Sequence, residues 1–354
     1  MGVGIVLKQN MKRIEWIDFV KFVAIFYMVW AHYGAPRIIY WYIQSFHMPL
    51  FFFVSGYLFN NSNYSFKNYT VKRAKSLIIP YLLFGLINYV FWIILVRINL
   101  FKTNDNLFDP IKYLLTINTT THLPIANALW FLTCLFIVEI IFFILVKHIK
   151  DNNITLSMIL ILFSLIGYFY PLITNIRLYW GIDTACTAIV FYGFGYLFKN
   201  NKNKNIINCF YKPKSYTIIL LFVISITFEL LNGHVALMII TYNNYFYYYI
   251  SAFASIFVYM MISIYLYNIR FISNLKVYKI FLYIGKNTIS ILAFNQLLIV
   301  VLLKITKTIP ININIKEIIN STLIIVVLIP ISYFLNKYCP IIVGKSKVNN
   351  KLRQ

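Results

Sequence analysis

The feature that most constrains this chain is a succession of apolar runs of roughly 20 residues, separated by short segments that carry Lys and Arg. An α-helix of about 20 apolar residues spans the ~30 Å hydrocarbon core of a bilayer. Only 12% of the residues are charged, whereas soluble domains average about 25%. The pattern predicts an all-α, polytopic transmembrane bundle of about ten helices, formed by a single domain over residues 1–354.

The predicted spans take up most of the chain. In chain order they are 14–33, 41–59, 77–98, 128–147, 154–173, 182–198, 216–233, 248–268, 280–302 and 318–338. The longest connection, 99–127, is polar, and no soluble domain fits between the spans. The two halves of the chain share no pattern of broken helices, which argues against an inverted-repeat transporter.

The positive charge lies mostly on one side of the predicted spans. If the segments between spans are numbered alternately, one set holds 22 of the 32 Lys and Arg residues, the other holds 8, and 2 lie within spans. An excess of Lys and Arg in short loops marks the cytoplasmic side of a membrane protein. The net charge of +23 therefore reflects orientation and not a nucleic-acid partner. We expect both termini in the cytoplasm, an even number of spans, and a multi-pass protein of the plasma membrane.

Three ionisable residues lie on one face of the first span. Asp18, Lys21 and His32 fall within about 60° of one another around a helix, and His32 lies about 21 Å beyond Asp18, toward the outer end. Asp18 and Lys21 are three residues apart and can form an ion pair, which could be structural or functional. Ionisable groups at membrane depth are costly and often functional, although a lone His can also be a satisfied core residue.

The second span supplies another histidine close to its outer end. We expect His47 to lie at a depth similar to that of His32 on the adjacent, antiparallel helix. Pro49 frees a backbone carbonyl near His47, and Gly56 permits close approach of a neighbouring helix. Imidazole is the side chain best suited to accept a proton near neutral pH.

Two of these segments resemble a known family. The run from Ile14 to Lys21 (IEWIDFVK), continued to His32, resembles the first motif of the acyltransferase-3 family, and the run from Phe46 to Tyr57 (FHMPLFFFVSGY) resembles its second motif. Less specific resemblances occur at Lys72–Tyr81, Leu129–Leu132, Gly181–Ala185, Phe191–Tyr196 and Ile284–Thr288. The fucose 4-O-acetylase-like branch of the family looks nearest, and the likeness extends over nearly the whole chain.

The resemblance implies an integral membrane O-acyltransferase. It would move an acetyl group from cytoplasmic acetyl-CoA, as co-substrate, to a hydroxyl of a cell-surface glycan or glycolipid. A hydroxyl needs a positioned base before it attacks a thioester, and His32 is the expected base. His47 would position a substrate oxygen or His32 itself, and Asp18 with Lys21 would organise the cytoplasmic end. The expected partners are acetyl-CoA, a glycan or lipid-linked sugar, and membrane lipid.

The expected donor site is the basic start of the third span. Arg73, with Lys72 and Lys75 beside it and Lys21 on the first helix, would hold the phosphates of the donor, for which guanidinium is well suited. On charge alone, however, Arg73 could simply be an orientation signal. We expect no metal, because the four cysteines, Cys134, Cys186, Cys209 and Cys339, have no histidine partner at ligand spacing.

Four further polar residues are candidates for the interior or for contact with substrate. Glu139 and Glu229 are mid-span and should face the inside of the bundle. Asp183 begins the sixth span, where it could be a helix cap, and Asn295 stands where the family often has a His. Each could instead be a structural hydrogen-bonding residue. The cluster Tyr245–Tyr249 is expected to form an interfacial aromatic belt, although it could stack on a sugar ring.

One alternative belongs to another functional class. A transporter or flippase for a lipid-linked sugar would use the same intramembrane polar residues for passage, without a CoA donor or a catalytic base. Acetyl transfer from labelled acetyl-CoA by the purified protein separates the two hypotheses.

Overall fold

The computed structural model describes residues 14–60, 64–117, 123–149, 152–307 and 312–345. Over these ranges the protein is helical, and its β pairing consists of an isolated bridge between Ala236 and Thr241. Several cations of the charge count lie outside the described ranges, namely Lys8, Lys12, Arg13, Lys150, Lys347, Lys351 and Arg353.

Fifteen α-helices follow one another in the described part of the chain. They are α1 (Glu15–Tyr33), α2 (Arg37–Tyr57), α3 (Phe66–Arg73), α4 (Ile79–Arg97), α5 (Asp109–Thr116), α6 (Trp130–Ile149), α7 (Asn153–Ile173), α8 (Ile182–Lys199), α9 (Lys204–Tyr211), α10 (Ser215–Asn232), α11 (Tyr245–Asn268), α12 (Arg270–Asn274), α13 (Lys276–Lys286), α14 (Thr288–Ile305) and α15 (Ile313–Tyr338). A π-helical turn, Ala74–Ile78, joins α3 to α4. Short 3₁₀ turns, Asn127–Leu129 and Tyr179–Gly181, precede α6 and α8.

Eight helical segments of the described chain are long and apolar enough to cross a membrane. They are Phe66–Arg97, Asn127–Ile149, Asn153–Ile173, Tyr179–Lys199, Ser215–Asn232, Tyr245–Asn268, Thr288–Ile305 and Ile313–Tyr338. The first two predicted spans also form helices, α1 and α2, but these are not among the eight. The chain is therefore a multi-pass, all-helical membrane protein, while the count of about ten spans and the cytoplasmic termini stay predictions.

The two helices with the polar motifs lie inside the bundle. α1 packs against α2, α11, α13, α14 and α15, and α2 also packs against α8, α10 and α11. By contrast, most side chains of α7 and α10 are not buried. Ionisable side chains avoid the cost of lipid contact when they face the interior of a bundle. This position lets α1 and α2 carry charged and imidazole side chains at membrane depth.

Glycine brings α2 and α8 into backbone contact. A Cβ on Gly56 would overlap the carbonyl oxygen of Tyr192, and a Cβ on Gly195 would overlap that of Phe53. Small residues allow transmembrane helices to approach this closely. The close approach expected at Gly56 is thus formed with α8, and it holds α2 firmly in the interior.

The predicted span 280–302 is wrong as a single helix. The chain breaks at Asn287, where φ is −123° and ψ is 34°, so that α13 and α14 are separate helices. Asn287 Nδ2 donates to the Tyr283 carbonyl at 2.9 Å, and its Oδ1 accepts from Asn336 Nδ2 of α15 at 3.0 Å. These side-chain hydrogen bonds stabilise the break between α13 and α14. The apolar pattern of the sequence does not predict that break.

Candidate active site

His32 lies near the C-terminal end of α1, where it meets α14. Its Nδ1 is 3.0 Å from Oδ1 of Asn295. The His32 side chain is half-buried, whereas Asn295 is fully buried. A ring that is held on one side and still partly accessible has the arrangement a general base needs.

His47 is buried in α2 and has a different partner. Its Nδ1 lies 2.7 Å from the carbonyl oxygen of Ile43, one turn earlier. A carbonyl can only accept, so Nδ1 carries the proton and Nε2 has the lone pair. Since 3% of His47 is exposed, it is less accessible than His32.

Each of the two histidines has its own hydrogen-bond partner, and their similar depth stays a prediction. Ala31 of α1 packs with Ile43 of α2 in one small apolar cluster. The two rings are hydrogen-bonded to separate partners, so the structure does not pair His47 with His32.

Asp18 and Lys21 form an ion pair at the other end of α1. Lys21 Nζ is 3.1 Å from Asp18 Oδ1, and the Asp18 side chain is buried while that of Lys21 is partly exposed. Gly285 of α13 packs on the backbone at Asp18, because any Cβ there would overlap the Asp18 carbonyl. The Gly285-Lys286-Asn287 segment thus lies against the backbone of α1, and Asn287 connects it to α15.

Arg73 of α3 forms a two-point ion pair with Glu139 of α6. Arg73 Nε and Nη2 each donate to one oxygen of the Glu139 carboxylate. The Glu139 side chain is 3% exposed and the Arg73 side chain 25% exposed. The pair does not use Nη1, so the guanidinium retains donor capacity toward an anion. The π-helical turn begins directly after Arg73, and such irregular turns are frequent at functional sites.

The two lysines beside Arg73 are exposed. Lys72 Nζ donates to the Tyr64 hydroxyl at 3.1 Å and lies 4.4 Å from the centre of its ring. Lys75 is in the π-helical turn and also exposed. Both are on the same helical segment as Arg73, and their contact with a donor stays a prediction.

The C-terminal turn adds residues that the sequence analysis did not assign to the site. Lys345 Nζ donates to Asn287 Oδ1 at 3.2 Å and also contacts Asn336 Oδ1. Its neighbour Gly344 packs against the backbone of Ser76, in the π-helical turn. The turn therefore links the Gly-Lys-Asn segment to the region of Arg73. The only available signal was that Lys345 is one of several cations counted in the tail.

Glu229 lies in a separate buried cluster near the C-terminal end of α10. Its Oε2 accepts from the Ser251 hydroxyl at 3.2 Å, and Ser251 Oγ is also 3.4 Å from Ser45 Oγ of α2. Among the described residues Oε1 has no hydrogen-bond partner. Ser45 is two residues from His47, so this carboxyl group lies close to the histidine helix without contacting the imidazole.

Asp183 stabilises the loop that leads into α8. Its Oδ2 is 2.8 Å from Arg177 Nε and accepts from the Leu178 backbone N–H at 3.3 Å. Its Oδ1 accepts from the Thr184 backbone N–H at 2.8 Å. These contacts are typical of a residue that satisfies backbone donors at a helix start. The structure gives no contact between Asp183 and either histidine.

The candidate residues thus form two groups joined by α1. We call the first, His32 with Asn295, the outer group after the predicted topology, and His47 lies in the same bundle. The inner group comprises the Asp18–Lys21 and Arg73–Glu139 pairs. In the described part of the chain, no three His, Cys, Asp or Glu side chains form a cluster that could hold a metal ion. The arrangement places a basic nitrogen near one end of α1 and cations near the other.

A comparison with protein families found a match. The family model described as an acyltransferase domain matches residues 14–337 and so spans both groups of polar residues. No curated protein gave a match to the chain.

Proposed function

Because this chain belongs to the acyltransferase-3 family, it is a membrane acyltransferase, and we propose that it acetylates a sugar hydroxyl. The donor is acetyl-CoA, and the acceptor is a cell-surface glycan or a lipid-linked sugar. The FHMPLFFFVSGY run supports a place in the fucose 4-O-acetylase-like branch. The charge asymmetry supports the plasma membrane, with the termini in the cytoplasm.

The observation that carries the proposal is the environment of His32. It is a half-buried imidazole on a helix enclosed by five others, and its orientation is held by Asn295. One ring nitrogen remains for a substrate proton. A sugar hydroxyl cannot attack a thioester efficiently near neutral pH unless such a base removes its proton.

In the proposed reaction, His32 takes one proton from the acceptor and later gives it to the leaving group. The acceptor oxygen attacks the carbonyl carbon of the thioester, and its proton passes to His32. The new C–O bond forms as the C–S bond breaks, which releases the CoA thiolate. His32 then returns the proton to that thiolate, so the products are the acetyl ester and free CoA.

The inner cations support a donor site at the cytoplasmic face. The phosphates of CoA must stay in a polar environment, since charged groups are costly in the hydrocarbon core. Arg73 keeps Nη1 outside its pair with Glu139, and Lys72 and Lys75 are exposed nearby. Along α1, Asp18 lies about 21 Å and Lys21 about 16 Å from His32, so the donor's acyl arm has to run beside α1 toward the base.

The transporter or flippase hypothesis is not favoured by the family match. It predicts passage of a sugar without consumption of acetyl-CoA. Consumption of acetyl-CoA is therefore the measurement that distinguishes the two hypotheses.

The test is acetyl transfer by purified protein in detergent. The protein is incubated with acetyl-CoA labelled in the acetyl group and with glycolipid and glycan fractions from membranes that lack it. We expect label in the sugar-containing fraction, equimolar release of free CoA thiol, and loss of the label in mild alkali, as for an oxygen ester. Absence of transfer with every fraction, or label in an alkali-stable amide, would overturn the proposal.

A further inference from the structure

The orientation of the Asn295 amide is determined by its own helix. Its Nδ2 donates to the carbonyl oxygens of Ile291 at 3.2 Å and Leu292 at 2.7 Å. Were the amide turned over, Oδ1 would face two acceptors and neither interaction could form. The side of the amide that faces His32 is therefore the carbonyl oxygen Oδ1, 3.0 Å from Nδ1.

This orientation specifies which nitrogen of His32 is protonated. Oδ1 has no hydrogen to donate, so the hydrogen bond requires a proton on His32 Nδ1. In the neutral ring the other nitrogen, Nε2, then has the free lone pair. The opposite tautomer would set two lone pairs against each other within a buried contact.

We propose that Asn295 is a positioning residue that holds His32 as the Nδ1–H tautomer, so that Nε2 is the atom that takes the acceptor proton. This inference rests on the proposed acetyl transfer. It assigns to Asn295 a role in that reaction, although the asparagine amide is not itself a base.

The hydrogen bond between His32 Nδ1 and Asn295 Oδ1 also remains intact after proton transfer. When Nε2 takes a proton, the ring becomes an imidazolium and both nitrogens are donors. Nδ1–H keeps its acceptor without rearrangement of the ring or of α14.

Two substitutions at Asn295 separate positioning from packing. Asn295→Leu has similar size but neither accepts from His32 nor donates to the two carbonyls. Asn295→Asp keeps an acceptor for Nδ1–H and loses the donors to Ile291 and Leu292. A matched control is Asn320→Leu in α15, because Asn320 is also buried and donates to the Tyr33 hydroxyl at 2.6 Å, next to His32 in the chain.

We expect Asn295→Leu to lower kcat by about 10- to 100-fold, the range typical when the partner that orients a metal-ligating histidine is removed. The KM for acetyl-CoA should change little, because the inner cations are untouched. Asn295→Asp should recover most of kcat. Asn320→Leu should leave kcat within a few-fold of the parent value.

The tautomer itself is observable without turnover. In protein labelled with ¹⁵N in the histidine rings, assigned with a His32→Gln sample, the His32 spectrum should show a protonated Nδ1 and an unprotonated Nε2. The pattern should persist in Asn295→Asp and Asn320→Leu and be lost in Asn295→Leu. A proton on Nε2 in the parent protein, or a Leu variant with unchanged kcat and spectrum, overturns the positioning role. Absence of acetyl transfer by the parent protein refutes the proposed function itself.

Discussion

At the scale of single residues, the pair formed by Arg73 and Glu139 makes the donor site hard to test by simple deletion. Glu139 is buried, and both of its oxygens accept from Arg73. Removing one partner of a buried ion pair typically costs about 3–5 kcal/mol, because the other charge is left uncompensated. A loss of activity in Arg73→Ala could therefore come from destabilisation alone.

Comparing Arg73→Ala with a double variant separates the loss of stability from the loss of donor binding. We expect Arg73→Ala to lower the unfolding temperature in detergent and to raise the KM for acetyl-CoA more than that for the acceptor. The double variant Arg73→Ala/Glu139→Gln removes the stranded charge and should recover much of the stability. It should keep the raised KM for acetyl-CoA, as steady-state kinetics would show. If the double variant recovers donor KM together with stability, Arg73 has a structural role only.

Single residues also show how far the sequence could predict this site. Polar side chains stand out against an apolar run, so Asp18, His32 and Glu139 could be recognised individually. The Asp18–Lys21 pair was predicted from its i, i+3 spacing and is present. The partner of His32 could not be predicted, because His32 and Asn295 are 263 residues apart in the chain. A pairing over that distance depends on how α1 and α14 pack, and no local pattern records it. The role of Lys345 was missed for the same reason.

At the scale of helices, close contact between α2 and α8 determines the position of His47. The contact depends on Gly56, since a Cβ there would overlap the Tyr192 backbone. Forcing extra atoms into a packed interior typically costs about 1–3 kcal/mol. We expect Gly56→Ala to lower stability by this amount, measured by thermal unfolding in detergent. Ser55→Ala, at the adjacent half-buried position, should have little effect. Equal stability of both variants would mean that the two helices are not in backbone contact.

Helix irregularities lie beyond what hydropathy predicts. The predicted span 77–98 begins inside the π-helical turn at Ala74–Ile78, and the predicted span 280–302 runs through the break at Asn287. Both features depend on contacts with distant segments, Ser76 with Gly344 and Asn287 with Asn336. Hydropathy therefore located the helices, whereas tertiary contacts decide where they bend and end.

At the scale of the whole molecule, the most polar of the predicted spans are enclosed by more apolar ones. α1 and α2 fall outside the eight strongly apolar helices, yet they contact most of the central elements. Hydropathy ranks such interior helices low because their polar side chains face the bundle and not lipid. The polar line along α1 then connects the inner cations to His32.

The charge count makes a topological prediction for this arrangement. With 22 cations on one side and 8 on the other, both termini should be cytoplasmic. Reporter fusions that are active on only one side of the membrane should give the same, cytoplasmic answer at each terminus. A fusion in the connection 99–127 should report the outer side. Termini on opposite sides would show that the number of spans is odd.

The central claim is that this membrane acyltransferase uses His32 as a base. General base catalysis typically contributes about 10²–10⁴ in rate. The direct test compares acetyl transfer by the purified parent protein, His32→Ala and His32→Gln, with unfolding temperature measured on the same samples. Gln keeps hydrogen-bonding capacity but has no basic nitrogen, so it distinguishes a base from a core polar residue.

We predict that both variants remain folded and that both lose acetyl transfer by about 10²-fold or more. A core hydrogen-bonding role predicts a different result, in which His32→Ala is chiefly unstable and His32→Gln is active. Transfer at the parent rate by a well-folded His32→Gln protein would contradict the account.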